Sequence, residues 1–230
     1  MKRINSNQHF LRRQNNWENL LFFKKTVVLY QMTVAFTGRF LPKHGDRTVD
    51  QMIQAARSGK QNIIEGSADG VTSVESEIKL LNIARGSIQE LREDYKDYLM
   101  SHNLPVWDNA HPRFKMMRDF CRKSNDLTDY QPYFDKWSDE EFCNCAITLC
   151  YMVDTMMNRY HQVIEQDFLE HGGVKERMTA ARKGYRTSEK EYVRELEQTI
   201  LQLQQQIKEQ QKTIDNQKTL IDKLMKKGKD

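Results

Sequence analysis

Val193, Ile200, Ile207, Ile214 and Ile221 recur at every seventh position near the C-terminus, and Leu196, Leu203, Gln210, Gln217 and Leu224 follow each of them by three. That spacing places both sets on one stripe of an α-helix, at the a and d positions of a coiled coil. From Val193 to Leu224 the helix extends about 48 Å at 1.5 Å per residue, and it cannot bury its seam alone. Isoleucine at a with leucine at d favours two strands. Positions e and g hold Gln204, Gln206, Gln211, Thr213 and Leu220 rather than opposed charges, so more strands remain open. Gln210 and Gln217 make polar layers that fix register. Ile200, Leu203, Ile207, Gln210, Ile214, Gln217 and Ile221 are therefore the candidate oligomerisation residues.

The rest of the chain is also helical in pattern. Val74, Ile78, Leu81, Ala84, Ile88, Leu91, Tyr95 and Tyr98 step by three or four, with Thr72 and Glu75 at capping-box spacing before them. Phe142, Ala146, Leu149, Val153, Met156, Tyr160 and Val163 repeat the pattern after Ser138 and Glu141, a second capping-box pair. A helix from Asp46 or Thr48 to Gly66 turns Met52, Ile53, Ala56, Ile63 and Ile64 inward. The helix from Trp17 to Phe40 is apolar nearly all round, which predicts that part of it faces another subunit. Ala55, Ala56, Ser58 and Gly59 on one helix and Ala84, Gly86 and Ser87 on the next predict a close approach, since mid-helix glycine costs about 1 kcal/mol relative to alanine. Glu65 at the negative end of its helix wants a cation, and Arg85 is the expected partner. These patterns give an all-α chain: an antiparallel up-and-down four-helix bundle with a C-terminal coiled-coil helix. Its parts are a basic arm at 1–16, the bundle at 17–171 with an inserted segment at 102–137, a basic linker at 172–187 and the coiled coil at 188–227.

Gln54-Ala55-Ala56-Arg57-Ser58, Asn62-Ile63-Ile64-Glu65-Gly66 and the run from Leu80 to Leu91 resemble the bacterial four-helix bundle family. That family includes proteins encoded in 23S rRNA intervening sequences and is related to the accessory variability determinant of diversity-generating retroelements. The resemblance implies a ring-like homo-pentamer. For the retroelement branch it implies a basic surface that contacts nucleic acid and a reverse transcriptase. The chain departs from the family at Gly59, where an aliphatic residue is usual, and in the inserted segment and C-terminal helix.

Charge points the same way. Residues 1–66 carry eleven Lys/Arg against four Asp/Glu, whereas 67–137 carry ten against twelve and 138–230 fifteen against sixteen. The excess belongs to the arm and the first two helices, where Arg12, Arg13, Lys24, Lys25, Arg57 and Lys60 are candidate phosphate contacts for RNA or DNA. Arg118 and Arg122, among the aromatics of 102–137, and Lys183, among the cations of 175–186, extend the list. The competing reading is that the aromatics fold down onto the bundle and the cations stay in water.

No phosphate loop, nucleophile elbow or zinc signature occurs, which argues against an enzyme and leaves catalytic residues, cofactors and metals unassigned. His161 and Glu165 share a helix face without a third ligand, so His161 reads as a surface or core histidine. Cys121, Cys143, Cys145 and Cys150 fit no disulfide framework or zinc spacing and read as buried thiols. Without an apolar run of about 20 residues or a leader, the expectation is a cytoplasmic protein with no membrane contact. The function expected is a non-catalytic oligomeric accessory protein that binds nucleic acid and partners a reverse transcriptase or another RNA-handling enzyme. The alternative is an adaptor whose coiled coil oligomerises the chain or recruits a protein.

Overall fold

The computed structural model describes residues 17–42 and 45–227, with side chains described through Thr219. The arm at 1–16, with Arg12 and Arg13, and the Leu220, Ile221 and Leu224 side chains lie outside the described residues. Those residues form an all-α chain: α1 (Leu21–Phe40), α2 (Arg47–Asp69), α3 (Val74–Ser101), α4 (Phe114–Lys123), α5 (Leu127–Tyr130), α6 (Asp139–His171) and α7 (Val174–Lys227). Among them no helix is long and apolar enough to cross a membrane.

Local chemistry sets the ends. Asp46 caps α2 by accepting from the Thr48 N–H, and Ser138 with Glu141 makes both capping-box bonds at α6. At α3 the cap is Ser73, which accepts from the Ser76 N–H, one residue beyond the expected Thr72. The α2 helix continues to Asp69, past the expected end at Gly66. Residues 172–187, expected as a linker, are helical from Val174, where Ala, Arg, Lys, Glu and Met predominate and outweigh the single mid-helix Gly184. Gly172 takes a φ of 69°, the left-handed region that ends helices.

Four helices pack in a closed cycle around one core, α1 on α2, α2 on α3, α3 on α6 and α6 on α1. At one end Phe36 meets Tyr95, Tyr98 and Phe142 at ring separations of 5.1, 4.9 and 5.8 Å. Below it the Thr33 and Tyr95 hydroxyls share a 3.0 Å hydrogen bond. The Val163 expected on the α6 stripe is 64% exposed, and Met157 and Ile164 are buried in its place. The buried face of α6 shifts there because strict three-four counting drifts from 3.6 residues per turn over a helix of 33 residues.

The close approach of α2 and α3 is present, with Ser58 and Ser87 hydroxyls 2.9 Å apart. A Cβ on Gly59 would lie 2.7 Å from Ile88 Cδ1, whereas one on Gly86 would meet nothing within 4 Å. The sequence reading of Gly86 is thus corrected: it faces open space, and only Gly59 is required by packing. Gly59→Ala gains helix propensity but displaces Ile88, and should cost about 1 kcal/mol net. Gly86→Ala should gain about 0.5–1 kcal/mol from helix propensity alone. Urea midpoints of the two variants are expected to move in opposite directions, and a loss at Gly86 would mark its face as a contact with another molecule.

The wide apolar surface of α1 is covered within the chain rather than left for another subunit. The inserted segment lies on it, with Tyr130 fully buried and Phe120 5.0 Å from the Tyr130 ring. Trp137 and Phe134 close on Phe142 at 6.0 and 5.6 Å. These aromatics are part of the core's outer layer, and only Leu21 and Val34 of α1 remain among the large exposed apolar side chains.

Contacts divide the chain into two units, Met1–Lys175 and Glu176–Asp230. The second consists of α7, on which Val193, Leu196, Ile200, Leu203, Ile207 and Ile214 are between 44% and 64% exposed.

Candidate functional site

The cations of α1 turn inward to fasten the inserted segment. Lys25 is 2% exposed, and its Nζ donates to the carbonyls of Cys121 at 2.5 Å and Ser124 at 2.9 Å. Those oxygens belong to the C-terminal end of α4, where carbonyls lack intrahelical partners and the helix dipole is negative. Lys24 pairs with Asp126 at 3.1 Å, and Arg39 Nη1 donates to the Phe134 carbonyl at 2.6 Å. Lys25 is therefore not a surface phosphate contact, and Lys24 already holds a carboxylate. Burial pushes the Lys25 ammonium below its ordinary value, opposed by the charges of Asp129 and Asp126.

On α2, Arg57 is exposed, and Lys60 lies over the Tyr30 ring at 4.5 Å. Glu65 is exposed and four residues short of the end of α2, so it does not confront the helix terminus as expected. Arg85 pairs instead with Asp154 of α6 at 3.0 Å, a longer-range partner that spacing along α2 and α3 gave no means of finding. Lys183 is exposed on α7, away from the other candidates in the chain order and in a separate unit.

Arg118 and Arg122 are drawn together with residues that the sequence did not single out. They lie one turn apart on the exposed side of α4, whose opposite side buries Met117 and Cys121. With Lys25 of α1 and Arg159 of α6 they line a cavity of about 860 Å³, in which Asp108 is the single carboxylate-bearing side chain. Among the described residues neither Arg118, Arg122 nor Arg159 has an ion-pair partner. Two like charges at i, i+4 repel by a few tenths of a kcal/mol.

The cavity is held open by a rigid wall. Asn144, 2% exposed, accepts from the Trp107 N–H at 2.7 Å and donates to the Pro105 carbonyl at 3.0 Å and the Glu140 carbonyl at 2.9 Å. The Trp107 indole N–H donates to Glu140 at 2.6 Å, and its ring stacks on His111. The segment 105–107 is thereby pinned to α6, and Ile147, Met152 and Met156 of α6 form the apolar floor.

All four cysteines are buried and free, with Cys121 and Cys145 sulfurs 3.7 Å apart. Burial pushes the Cys143, Cys145 and Cys150 thiols up, which keeps them protonated and unreactive. His161 Nε2 is buried without a hydrogen-bond partner, and burial followed by the charge of Arg85 lowers its pKa. Among the described residues no three His, Cys, Asp or Glu side chains are placed to hold a metal ion.

Comparison with family models, curated proteins and solved structures found no match to this chain.

Proposed function

We propose that the chain is a non-catalytic oligomeric accessory protein that assembles through α7. In this reading the cycle of α1, α2, α3 and α6 is an antiparallel up-and-down four-helix bundle and α7 is a coiled-coil strand. The observation that carries it is the heptad seam, whose six described apolar positions from Val193 to Ile214 are all exposed in the single chain. Helices draw most of their stability in proteins from burying an apolar face, and a second copy of α7 offers a matching one. The resemblance to the bacterial four-helix bundle family favours a pentamer, and isoleucine at a with leucine at d favours a dimer. Light scattering on the purified full chain should give a whole multiple of 27.3 kDa. A monomer at micromolar concentration would end the assembly reading. An adaptor that uses α7 to recruit another protein would keep its oligomer number, and lose its partner, when 188–230 is deleted.

A second reading makes this assembly a nucleic-acid accessory in the cytoplasm, beside a reverse transcriptase or another RNA-handling enzyme. What favours it is the exposed Arg57 near Lys60, and Arg118, Arg122 and Arg159, which have no ion-pair partner among the described residues. Against it stand the buried Lys25 and the inward packing of the aromatics that would have stacked bases. Affinity for single-stranded RNA or DNA should fall with log salt at a slope of about −0.7 per phosphate contact. Arg57→Glu with Lys60→Glu should weaken binding and flatten that slope; an unchanged slope would remove this face from the site.

A further inference from the structure

We propose that the cavity between α4, α6 and the 105–109 segment binds an amphipathic anion, a fatty carboxylate whose head is held by Arg118, Arg122 and Arg159. This goes beyond assembly through α7 and stands or fails separately from it, since every lining residue belongs to the unit Met1–Lys175. Three observations converge.

The first is charge. Three guanidinium groups and Lys25 line the cavity against Asp108 alone, and the three arginines have no ion-pair partner among the described residues. Lys25 spends its hydrogen bonds on α4 carbonyls, so the arginines are the groups left to receive an anion. Guanidinium forks match a carboxylate with paired N–H donors, and the ligand relieves the repulsion between Arg118 and Arg122.

The second is the floor. Ile147, Met152, Met156 and Phe114 give an apolar surface, and the unbranched methionines adapt to a flexible chain. At about 860 Å³ the space falls within the range of small-molecule pockets.

The third is the lack of spare polar groups on that floor. Asn144 is fully engaged, as described above. The Thr148 and Thr155 hydroxyls donate to the Asn144 and Tyr151 carbonyls at 2.7 and 2.8 Å. Little is left on the α6 floor to read the polar edge of a nucleobase or sugar, and the other amides of the lining, Asn109 and Asn125, lie outside α6; an alkyl chain asks nothing of the floor. At the mouth, Leu21, Val106 and Tyr151 are each about half exposed, a patch that an apolar chain would cover.

The test is a fluorescence titration of the full chain with dansyl-undecanoate, followed by competition. The expected result is saturable uptake of one probe per chain, displaced by dodecanoate and about tenfold less well by dodecanol, which lacks the charge. Arg118→Gln with Arg122→Gln should weaken probe binding by about tenfold. Thr155→Trp, an exposed position on the cavity wall, should abolish it by filling the space. Circular dichroism of both variants controls for folding. The proposal is overturned by absence of saturable uptake, or by uptake that neither variant alters, which would place the probe on another apolar surface such as α7. It is equally overturned if inorganic phosphate or a single-stranded oligonucleotide displaces the probe and dodecanoate does not. That result would assign the arginines to phosphate recognition.

Discussion

Lys25→Met is expected to lower the free energy of unfolding by about 2 kcal/mol, the largest effect of any single substitution considered in the helical unit. Methionine keeps the stem but removes the donor, leaving the Cys121 carbonyl without its partner at the end of α4, while the Ser124 carbonyl keeps the Tyr130 hydroxyl at 2.9 Å. A buried acceptor stripped of its donor costs about 1–3 kcal/mol, and the Cys121 carbonyl is the one stripped. Urea unfolding measures the loss, and amide exchange should show α4 losing protection before α2 and α3. The pH dependence has a definite sign. Burial holds the folded ammonium below 10.5, so between the lowered value and 10.5 the unfolded chain binds more protons. The wild type should therefore gain stability relative to Lys25→Met as pH rises through that alkaline window. A loss under about 1 kcal/mol would mean that water reaches the Cys121 carbonyl in place of the ammonium.

Ile200→Glu with Ile207→Glu is expected to dissociate the proposed assembly. Two a layers would each carry a carboxylate per strand into the seam, and burying an unpaired charge costs several kcal/mol. The dissociation constant should rise by about a thousandfold or more. Sedimentation at fixed concentration should then show the mass falling toward 27.3 kDa. Far-UV circular dichroism should retain the signal of α1 to α6, because that unit makes its own core, and lose part of that of α7. An unchanged mass would place the contact between copies elsewhere and leave the α7 stripe for a different partner.

The helices were legible wherever a single local signal governs them. The Ser138 and Glu141 capping box and the α3 stripe follow from residues a turn apart, and local pattern narrows the α2 start to Asp46 or Thr48, of which Asp46 is the cap. The close approach at Ser58 and Ser87 was legible from small residues in both helices, although Gly86, read by the same rule, faces open space. What escaped was set by distance along the chain. Lys25 and Cys121 are 96 residues apart and Arg85 and Asp154 are 69 apart, and no spacing rule joins them. Local charge counting took Lys24 and Lys25 for surface, because a lysine that caps a distant helix looks like one that meets solvent. Arg118 and Arg122 were picked out by charge, but Arg159 and the cavity that unites the three exist only once α4 lies against α6.

The two sides of α4 answer to different constraints. Met117 and Cys121 are held by the core, and Lys25 anchors the end of the helix, so change on that side is penalised whatever the cavity holds. Among the described residues Arg118 and Arg122 make no side-chain hydrogen bond or ion pair within the fold. A lineage could exchange them for other side chains and alter what the cavity accepts while the scaffold stays constant, so recognition here is free to diverge faster than architecture.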